Sequence, residues 1–518
     1  IATVDKFAAM PWVGQVGSLF GKVTSSDPTG FYGPSDGKNA SPLVNGLRPP
    51  DLIIQDELHL ISGPMGTMVG LYETAINELC STEIDGKKVL PKIIASTATI
   101  RRADKQIKAL FGRDRVDIFP PPGPDIRDSF FAITKNSKEV NARSYIGIAA
   151  QGRSTKMLFL KSTVALMSAA QKLYKENGAK KNKENPVDPY MTLLGYFNSL
   201  RELGGSRRII EDEVKTRLSG YWNRKRISID QDIFENRNIR LHPDYMELTS
   251  RVSTNDVAAT KRRLSQPYHS DESLDVVLAT NMISVGLDIT RLGLMVVMGQ
   301  PKTSAEYIQS TSRVGRDPSR PGLVVTLYNI HRHRDRSIYE RFCSYHQSFY
   351  REVEATSVTP FSPRALDRGL AGTVLALTRH IDPNFNPPTG ANKILDCRPD
   401  IEKVIEILAT RAKSHDKDMG MEEADKIRQH VRDRVVDLLD EWAYIAHDCK
   451  SNNTTLQYQK EEGGAKKRLL YDFLDPEMDD NPDYKFKANR SMRDVEPSVN
   501  LFMRQLTRKK VSAEANNE

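Results

Sequence analysis

Short apolar runs alternate with amphipathic helical stretches along the first two thirds of the chain. The strand-like runs span residues 51–55, 92–96, 191–196, 274–279, 292–298 and 322–328, and the helical stretches include 68–80, 163–176 and 306–314. This alternation predicts βα units built on parallel sheets. From about residue 335 onward the strand-type pattern fades, and helical periodicities at 400–413 and 422–446 predict a mainly helical region.

A proline-rich break separates the two α/β regions. Residues 119–125 read Phe-Pro-Pro-Pro-Gly-Pro-Asp. Neither a helix nor a central strand continues through such a run, because proline lacks the N–H donor and fixes φ. A chain of 518 residues is long enough for about three domains. We therefore predict domains at 1–120, 126–335 and 336–518.

The composition favours a polyanionic partner and argues against a disulfide-rich or membrane-spanning protein. Lys plus Arg outnumber Asp plus Glu by 75 to 67, which gives a net charge of +8 and a pI near 9.0. The four cysteines lie too far apart to form a CxxC pair. Every apolar run is shorter than the ~20 residues of a membrane-spanning helix. We expect no membrane partner and a reducing, cytoplasmic location.

The strongest local signal is a strand-like run that ends in two carboxylates, Asp56 and Glu57, followed by Leu58 and His59. Parallel strands present their carboxyl ends to the crevice where ligands bind. There Asp56 could hold Mg²⁺ through water, Glu57 could polarise the water that attacks a γ-phosphate, and His59 could sense the phosphate. The alternative is an ordinary strand end with a solvated acidic turn.

A second polar segment closes the next predicted strand. Ser96, Thr97, Ala98 and Thr99 follow the run 92–96. Hydroxyl groups there can exchange hydrogen bonds with His59, which would couple hydrolysis to motion. We therefore predict that Thr97 and Thr99 have a coupling role.

Two further segments follow apolar strands in the second α/β region. In residues 279–289, Thr280 can donate to a nucleic-acid phosphate, Gly286 allows close backbone approach, and Asp288 can meet a ribose or an arginine. In residues 309–316, Arg313 and Arg316 are three apart and are predicted to share a helix face. Guanidinium groups suit a transferring phosphoryl group. The alternative is a surface helix with solvated arginines.

Together, these segments resemble motifs II, III, V and VI of superfamily 2 helicases of the DExH type. The resemblance implies an α/β protein with two RecA-like domains, the first truncated at its N-terminal side, followed by a mainly helical accessory domain. It further implies ATP and Mg²⁺ as cofactors and ATP hydrolysis between the two α/β domains, with DNA, single-stranded or with an overhang, as the partner. Asp56, Glu57, His59, Arg313 and Arg316 would be catalytic. Residues Gly286, Asp288 and Gln309 would bind the nucleotide.

Within these helicases, the chain is most similar to the DrmA helicases of bacterial DISARM anti-phage defence. The similar segments lie at 56–67, 350–354, 358–368 and 490–496, and the similarity runs from residue 2 to residue 501. This resemblance implies a role in anti-phage defence and contact with the companion protein DrmB.

Motif I, the glycine-rich phosphate loop, has no counterpart in the given sequence. The segment 17–23 is not one, because its glycines are too close together and Val23 replaces the required Ser or Thr. Since the chain starts at Ile1 just before the Thr-Val-Asp-Lys-Phe segment, we expect motif I to lie upstream in the same polypeptide. The alternatives are a loop supplied by another chain or a lost phosphate site.

Several residues in predicted loops are candidates for gripping a nucleic-acid backbone, which takes hydroxyl groups and basic side chains. They are Thr3, Lys6, Ser199, Arg201, Thr249, Arg251 and Thr280. For each one, a helix-capping or surface role is an equal alternative. For the whole chain, a non-catalytic nucleic-acid-binding scaffold and an RNA helicase are the alternative functions.

Overall fold

The structure is a computed structural model of the chain, and it describes most of the sequence. The described residues are 2–36, 40–44, 46–97, 103–121, 128, 130–131, 133–136, 139–141, 143–224, 233–249, 252–280, 288–354, 357–416, 418–459, 466–473, 475–478, 481 and 483–492.

Helices and short strands occur throughout the described part of the chain. The strands are β1 Ser25–Asp27, β2 Gly30–Tyr32, β3 Ser41–Pro42, β4 Leu52–Gln55, β5 Thr82–Ile84, β6 Lys87–Val89, β7 Lys92–Ala95, β8 Ser144–Ala149, β9 Leu193–Phe197, β10 Glu247–Leu248, β11 Val276–Ala279, β12 Leu294–Met298, β13 Leu323–Tyr328, β14 Thr455–Gln457 and β15 Lys466–Arg468. The α-helices are α1 Val4–Phe7, α2 Gly63–Leu79, α3 Ala103–Phe111, α4 Thr155–Glu176, α5 Leu200–Arg208, α6 Lys215–Leu218, α7 Thr254–Leu264, α8 Ser304–Thr311, α9 His333–Glu340, α10 Phe342–Gln347, α11 Pro363–Ile381, α12 Ile394–Ile401, α13 Lys403–Lys413 and α14 Met421–Ser451.

The chain divides into two compact units. The first unit contains residues 1–97, 102–116 and 356–518, and the second contains 98–101 and 117–355. The C-terminal helices therefore share a unit with the N-terminal strands. Domain boundaries at 120/126 and 335/336 stay a prediction.

The second unit is built on a parallel six-stranded sheet with the order β10-β11-β9-β12-β13-β8. Both faces of this sheet are buried, as parallel sheets require. Along β9, Leu193 and Phe197 pack into one core cluster with Phe159 of α4, whereas Leu194 and Tyr196 pack into the cluster on the other face. The α/β class predicted from the sequence is confirmed.

In the first unit, β4 and β7 form a parallel pair in which Leu52 lies opposite Lys92 and Gln55 lies opposite Ala95. Helix α2 follows β4 and packs closely against α11. A Cβ atom on Gly369 of α11 would come within 2.7 Å of the Met68 and Leu71 side chains of α2. The small residue therefore permits the close approach of the two helices.

None of the helices in the described ranges combines the length and apolar composition needed to cross a bilayer.

Candidate functional site

The two carboxylates lie where the sequence predicts, directly after the carboxyl end of β4. The neighbouring strand β7 ends one step before Ser96, whose hydroxyl group donates to Oδ1 of Asp56. The same oxygen accepts the backbone N–H of Glu57 at 2.9 Å. Glu57 has a φ of 52°, an uncommon conformation for a residue other than glycine. The carboxylates of Asp56 and Glu57 therefore lie on a sharp turn at the carboxyl end of the parallel pair β4 and β7.

A short turn places His59 next to this pair. The turn spans Leu58–Leu60, and the buried Leu58 side chain anchors it. Nδ1 of His59 lies 3.4 Å from a carboxylate oxygen of Glu57 and 3.5 Å from the hydroxyl oxygen of Thr97. The structure thus brings Glu57, His59 and Thr97 together, whereas Thr99 lies outside the described residues.

In the second unit, three of the candidate nucleic-acid contacts follow adjacent strands. Thr249 follows β10, Thr280 follows β11, and Ser199 comes two residues after β9. The backbone N–H of Thr280 donates to the carbonyl of Leu248 at 3.3 Å. Thr249 is buried, and its hydroxyl group has no hydrogen-bond partner among the residues described. The three hydroxyl-bearing residues therefore lie just beyond the carboxyl ends of three adjacent strands.

One of these three residues also has a structural role, and the remaining candidate contacts lie at different places. Ser199 is the N-cap of α5, and its side chain accepts the backbone N–H of Glu202, so it has the capping role that the sequence leaves open. Arg201 is exposed in the first turn of α5. In the first unit, Thr3 and Lys6 are exposed at α1. Arg251 lies outside the described residues.

The two arginines do not share a helix face, so that prediction is wrong. Helix α8 ends at Thr311, Arg313 lies in the turn that follows, and Arg316 lies beyond Gly315. Gly315 has a φ of +66°, and a Cβ atom there would come within 2.2 Å of the backbone nitrogen of Gly322. A left-handed glycine of this kind prevents the helix from continuing.

The side chains of this segment differ in burial and in pairing. Arg313 is only 8 % exposed, and Arg316 forms an ion pair with the exposed Asp288. Gln309 is buried on α8, and neither atom of its amide group has a partner in the described part of the chain. Buried amides are normally satisfied by protein, water or a ligand. Gly286 lies outside the described residues.

Two interactions that hold this segment were not predicted from the sequence. Nε of Arg143 donates to the carbonyl of Val314 at 2.9 Å, between the two arginines. The phenol of Tyr196 on β9 donates to Glu306 on α8, and burial raises the pKa of Tyr196. Both contacts join residues more than 100 positions apart, and no local pattern reveals such pairs.

A protein-family comparison identifies the second unit. Residues 211–318 match the model of the helicase conserved C-terminal domain. The match includes Thr249, Thr280, Asp288, Gln309, Arg313 and Arg316. Together with the parallel sheet, it identifies a RecA-like helicase fold.

One curated relative is similar to most of the chain. The DISARM protein DrmA of Bacillus paralicheniformis is 44% identical over 406 residues, which are 76% of this chain and 35% of that protein. The chain resembles DrmA. The resemblance predicted from the sequence is therefore confirmed, and the chain spans about a third of the length of DrmA.

Solved helicase structures are also similar, but at low identity. The DUF1998 helicase MrfA bound to DNA and AMPPNP is 15% identical with a TM-score of 0.40, and the match covers 72% of this chain and 40% of that one. The helicase Lhr of Mycobacterium smegmatis, bound to single-stranded DNA and AMP-PNP, is 15% identical with a TM-score of 0.39, covering 62% and 34%. Because both TM-scores are below 0.5, the fold assignment rests on the strand order and the family match.

Proposed function

We propose that this chain belongs to an ATP-dependent DNA helicase or translocase that acts in DISARM-like bacterial defence. The observation that supports this most directly is the cluster of Asp56, Glu57, His59 and Thr97 at the ends of two parallel strands. The similarity to DrmA supports the defence context. We further propose a cytoplasmic location and DrmB as a companion protein, together with the three-domain division at 1–120, 126–335 and 336–518.

The residues in the first unit fit Mg²⁺ and ATP. Mg²⁺ takes oxygen ligands and usually keeps several waters. The exposed Asp56 carboxylate, oriented by the hydroxyl of Ser96, offers such an oxygen through water. Transfer of the γ-phosphoryl group of bound MgATP to water would release the free energy that drives the motor. Glu57 would orient the attacking water and accept its proton. Because His59 contacts both Glu57 and Thr97, it would couple the protonation of Glu57 to Thr97.

In the second unit, we propose that Arg313 and Arg316 neutralise the negative charge that develops on the γ-phosphate during turnover. Arginine suits this role because its guanidinium group stays charged and matches phosphate geometry. The Asp288 ion pair holds Arg316 in position before that step. Gln309 and Gly286 would contribute to nucleotide binding.

We propose that Ser199, Arg201, Thr249, Arg251 and Thr280 contact the nucleic-acid backbone, together with Thr3 and Lys6 of the first unit. Hydroxyl, amide and basic contacts of this kind carry little sequence information. This suits a motor that moves along DNA of any sequence, whether single-stranded or a duplex with an overhang.

The experiment that tests this function is an ATPase assay on the natural full-length protein with three additions: none, single-stranded DNA, and RNA of the same sequence. We expect DNA to stimulate hydrolysis more strongly than RNA does. Equal or stronger stimulation by RNA would instead identify an RNA helicase. The absence of hydrolysis under all three conditions would indicate a non-catalytic scaffold.

A further inference from the structure

A cavity of about 430 Å³ lies within the first unit, away from the Asp56–Glu57 turn. Its walls come from the C-terminal half of α2, from β6 and the residue after it, from the end of α3 and the two residues that follow, and from α13 and the residue after it. We call it the α2–α13 cavity. Small-molecule sites typically have volumes of about 300–1,000 Å³, so this cavity is large enough for a compact organic ligand.

The charged groups that line the cavity leave it with an excess of positive charge. The two lining carboxylates are already paired, Glu78 with Lys88 and Glu406 with Arg428. Two lining guanidinium groups, those of Arg113 and Arg411, form no ion pair among the described residues.

Burial disfavours the charged form of both arginines, and the nearby Glu73 opposes that effect. Burial lowers the pKa of Arg411 to about 10, with the nearby Glu73 opposing that change. It also lowers the pKa of Arg113. Half-buried cations are stabilised when an anion joins them, so the cavity, which Arg113 and Arg411 line, favours an anionic occupant.

Several polar atoms that line the cavity have no hydrogen-bond partner among the described residues. Thr74 lines the cavity, is only 3 % exposed, and its hydroxyl group has no hydrogen-bond partner among the residues described. In Arg411, Nη2 donates to the carbonyls of Lys108 and Ala109 at the end of α3, but Nε and Nη1 have no partner within the described ranges. Buried polar groups are almost always satisfied by protein, water or ligand.

The rest of the wall is apolar. Leu90, Phe111 and Ile407 line it beside the polar groups. A pocket with apolar walls and a few convergent polar groups is the usual form of a small-molecule site.

We propose that the α2–α13 cavity binds a small molecule in which an oxyanion group, phosphate or carboxylate, is attached to an apolar body. The oxyanion accepts hydrogen bonds from Arg411 and Thr74, and Arg113 adds positive charge. The apolar body packs against Phe111 and Ile407. This proposal is independent of ATP hydrolysis, since none of these residues belongs to the proposed catalytic groups.

The test is isothermal titration calorimetry of the protein with phenyl phosphate, benzoate and phenol. Phenyl phosphate and benzoate carry the two oxyanion groups on the same apolar ring, and phenol lacks an oxyanion. We expect one or both anions to bind and phenol to bind at least tenfold more weakly, because charge-assisted hydrogen bonds are the strong ones (~10-fold per 1.4 kcal/mol). The tighter of the two anions identifies the oxyanion class.

Two variants localise the binding. Thr74→Val removes a hydroxyl group that has no partner in the described structure, so the fold is retained, and the anion should bind about fivefold more weakly. The matched control is Thr163→Val on α4, another buried threonine with an unpaired hydroxyl group in the described part of the chain. It should leave the affinity unchanged.

Thr410→Trp supplies the second localisation. Thr410 is exposed on α13 and lines the cavity, so the large side chain obstructs the site without disturbing the core. We expect it to abolish anion binding. The proposal is overturned if neither anion binds the wild-type protein, if phenol binds as tightly as the anions, or if both Thr74→Val and Thr410→Trp retain wild-type affinity.

Discussion

At the scale of single residues, some features of the Asp56–Glu57 turn follow from the local sequence and others depend on tertiary contacts. The order of an apolar run and two carboxylates predicts a strand end, and the structure has one. The contact of His59 with Glu57 was not predicted. Its contact with Thr97 could be anticipated, because both strands end on the same side of the sheet. The strained φ of Glu57 could not, since no residue type nearby requires it.

Glu73 gives a residue-scale prediction about pH. Burial raises the pKa of Glu73 to about 8, although Arg113 and Arg411 oppose this change. The folded protein therefore holds a proton that the unfolded chain, with an ordinary pKa of about 4.3, has lost. Stability should fall as the pH rises from about 4.5 to 8, by at most about 1.4 kcal/mol per pH unit, and then level off.

The measurement is the thermal midpoint of wild type and Glu73→Gln between pH 5 and pH 9. Glutamine stays neutral, so the thermal midpoint of the variant should decline much less with rising pH. Relative to its own value at pH 5, the variant should therefore keep a higher thermal midpoint at pH 8 than the wild type does. Glu83→Gln on the exposed strand β5 is the control and should follow the wild-type profile. Parallel profiles for wild type and Glu73→Gln would contradict the assignment.

At the scale of elements, the buried strands β9, β11, β12 and β13 could be predicted, because burial on both faces gives continuous apolar runs. Strands β4 and β7 were predicted from runs of the same kind, although Leu52, Ile54 and Ile94 on them are exposed. Strand β8 was missed. It lies at the edge of the sheet, has Gly147 at its centre, and mixes exposed with half-buried positions. The predicted helix 306–314 ends three residues later than α8, which spans Ser304–Thr311, because the left-handed Gly315 and the carbonyl contact from Arg143 are tertiary features.

The start of α5 offers a prediction at this scale. Ser199 caps α5 and is also a proposed DNA contact. Aspartate caps a helix about as well as serine, but its charge repels phosphate. Ser199→Asp should therefore keep the wild-type thermal midpoint and weaken DNA binding, more strongly at low salt.

DNA affinity by fluorescence anisotropy at two salt concentrations checks this. Ser154→Asp, at the N-cap of α4, is the matched control and should affect DNA binding less. If Ser199→Asp binds DNA as tightly as wild type while α5 remains intact, Ser199 is a cap and nothing more.

At the scale of the whole molecule, the sequence does not reveal that the C-terminal helices fold with the N-terminal segment. Nε1 of Trp12 donates to the carbonyl of Asn489 at 3.3 Å, and Arg379 donates to the carbonyl of Pro11 at 2.9 Å. These contacts span more than 360 residues, so no local periodicity encodes them. Their consequence is that the Asp56–Glu57 turn and the C-terminal helices share one compact unit.

The proposed role of Glu57 in ATP hydrolysis is tested by comparing kcat and ATP affinity between Glu57→Gln and wild type in the natural full-length protein. We expect kcat to fall by at least about 100-fold, as for the loss of a general base, while binding of ATP is retained. Glu83→Gln, the exposed control, should keep wild-type turnover. Unchanged hydrolysis by Glu57→Gln would contradict the account.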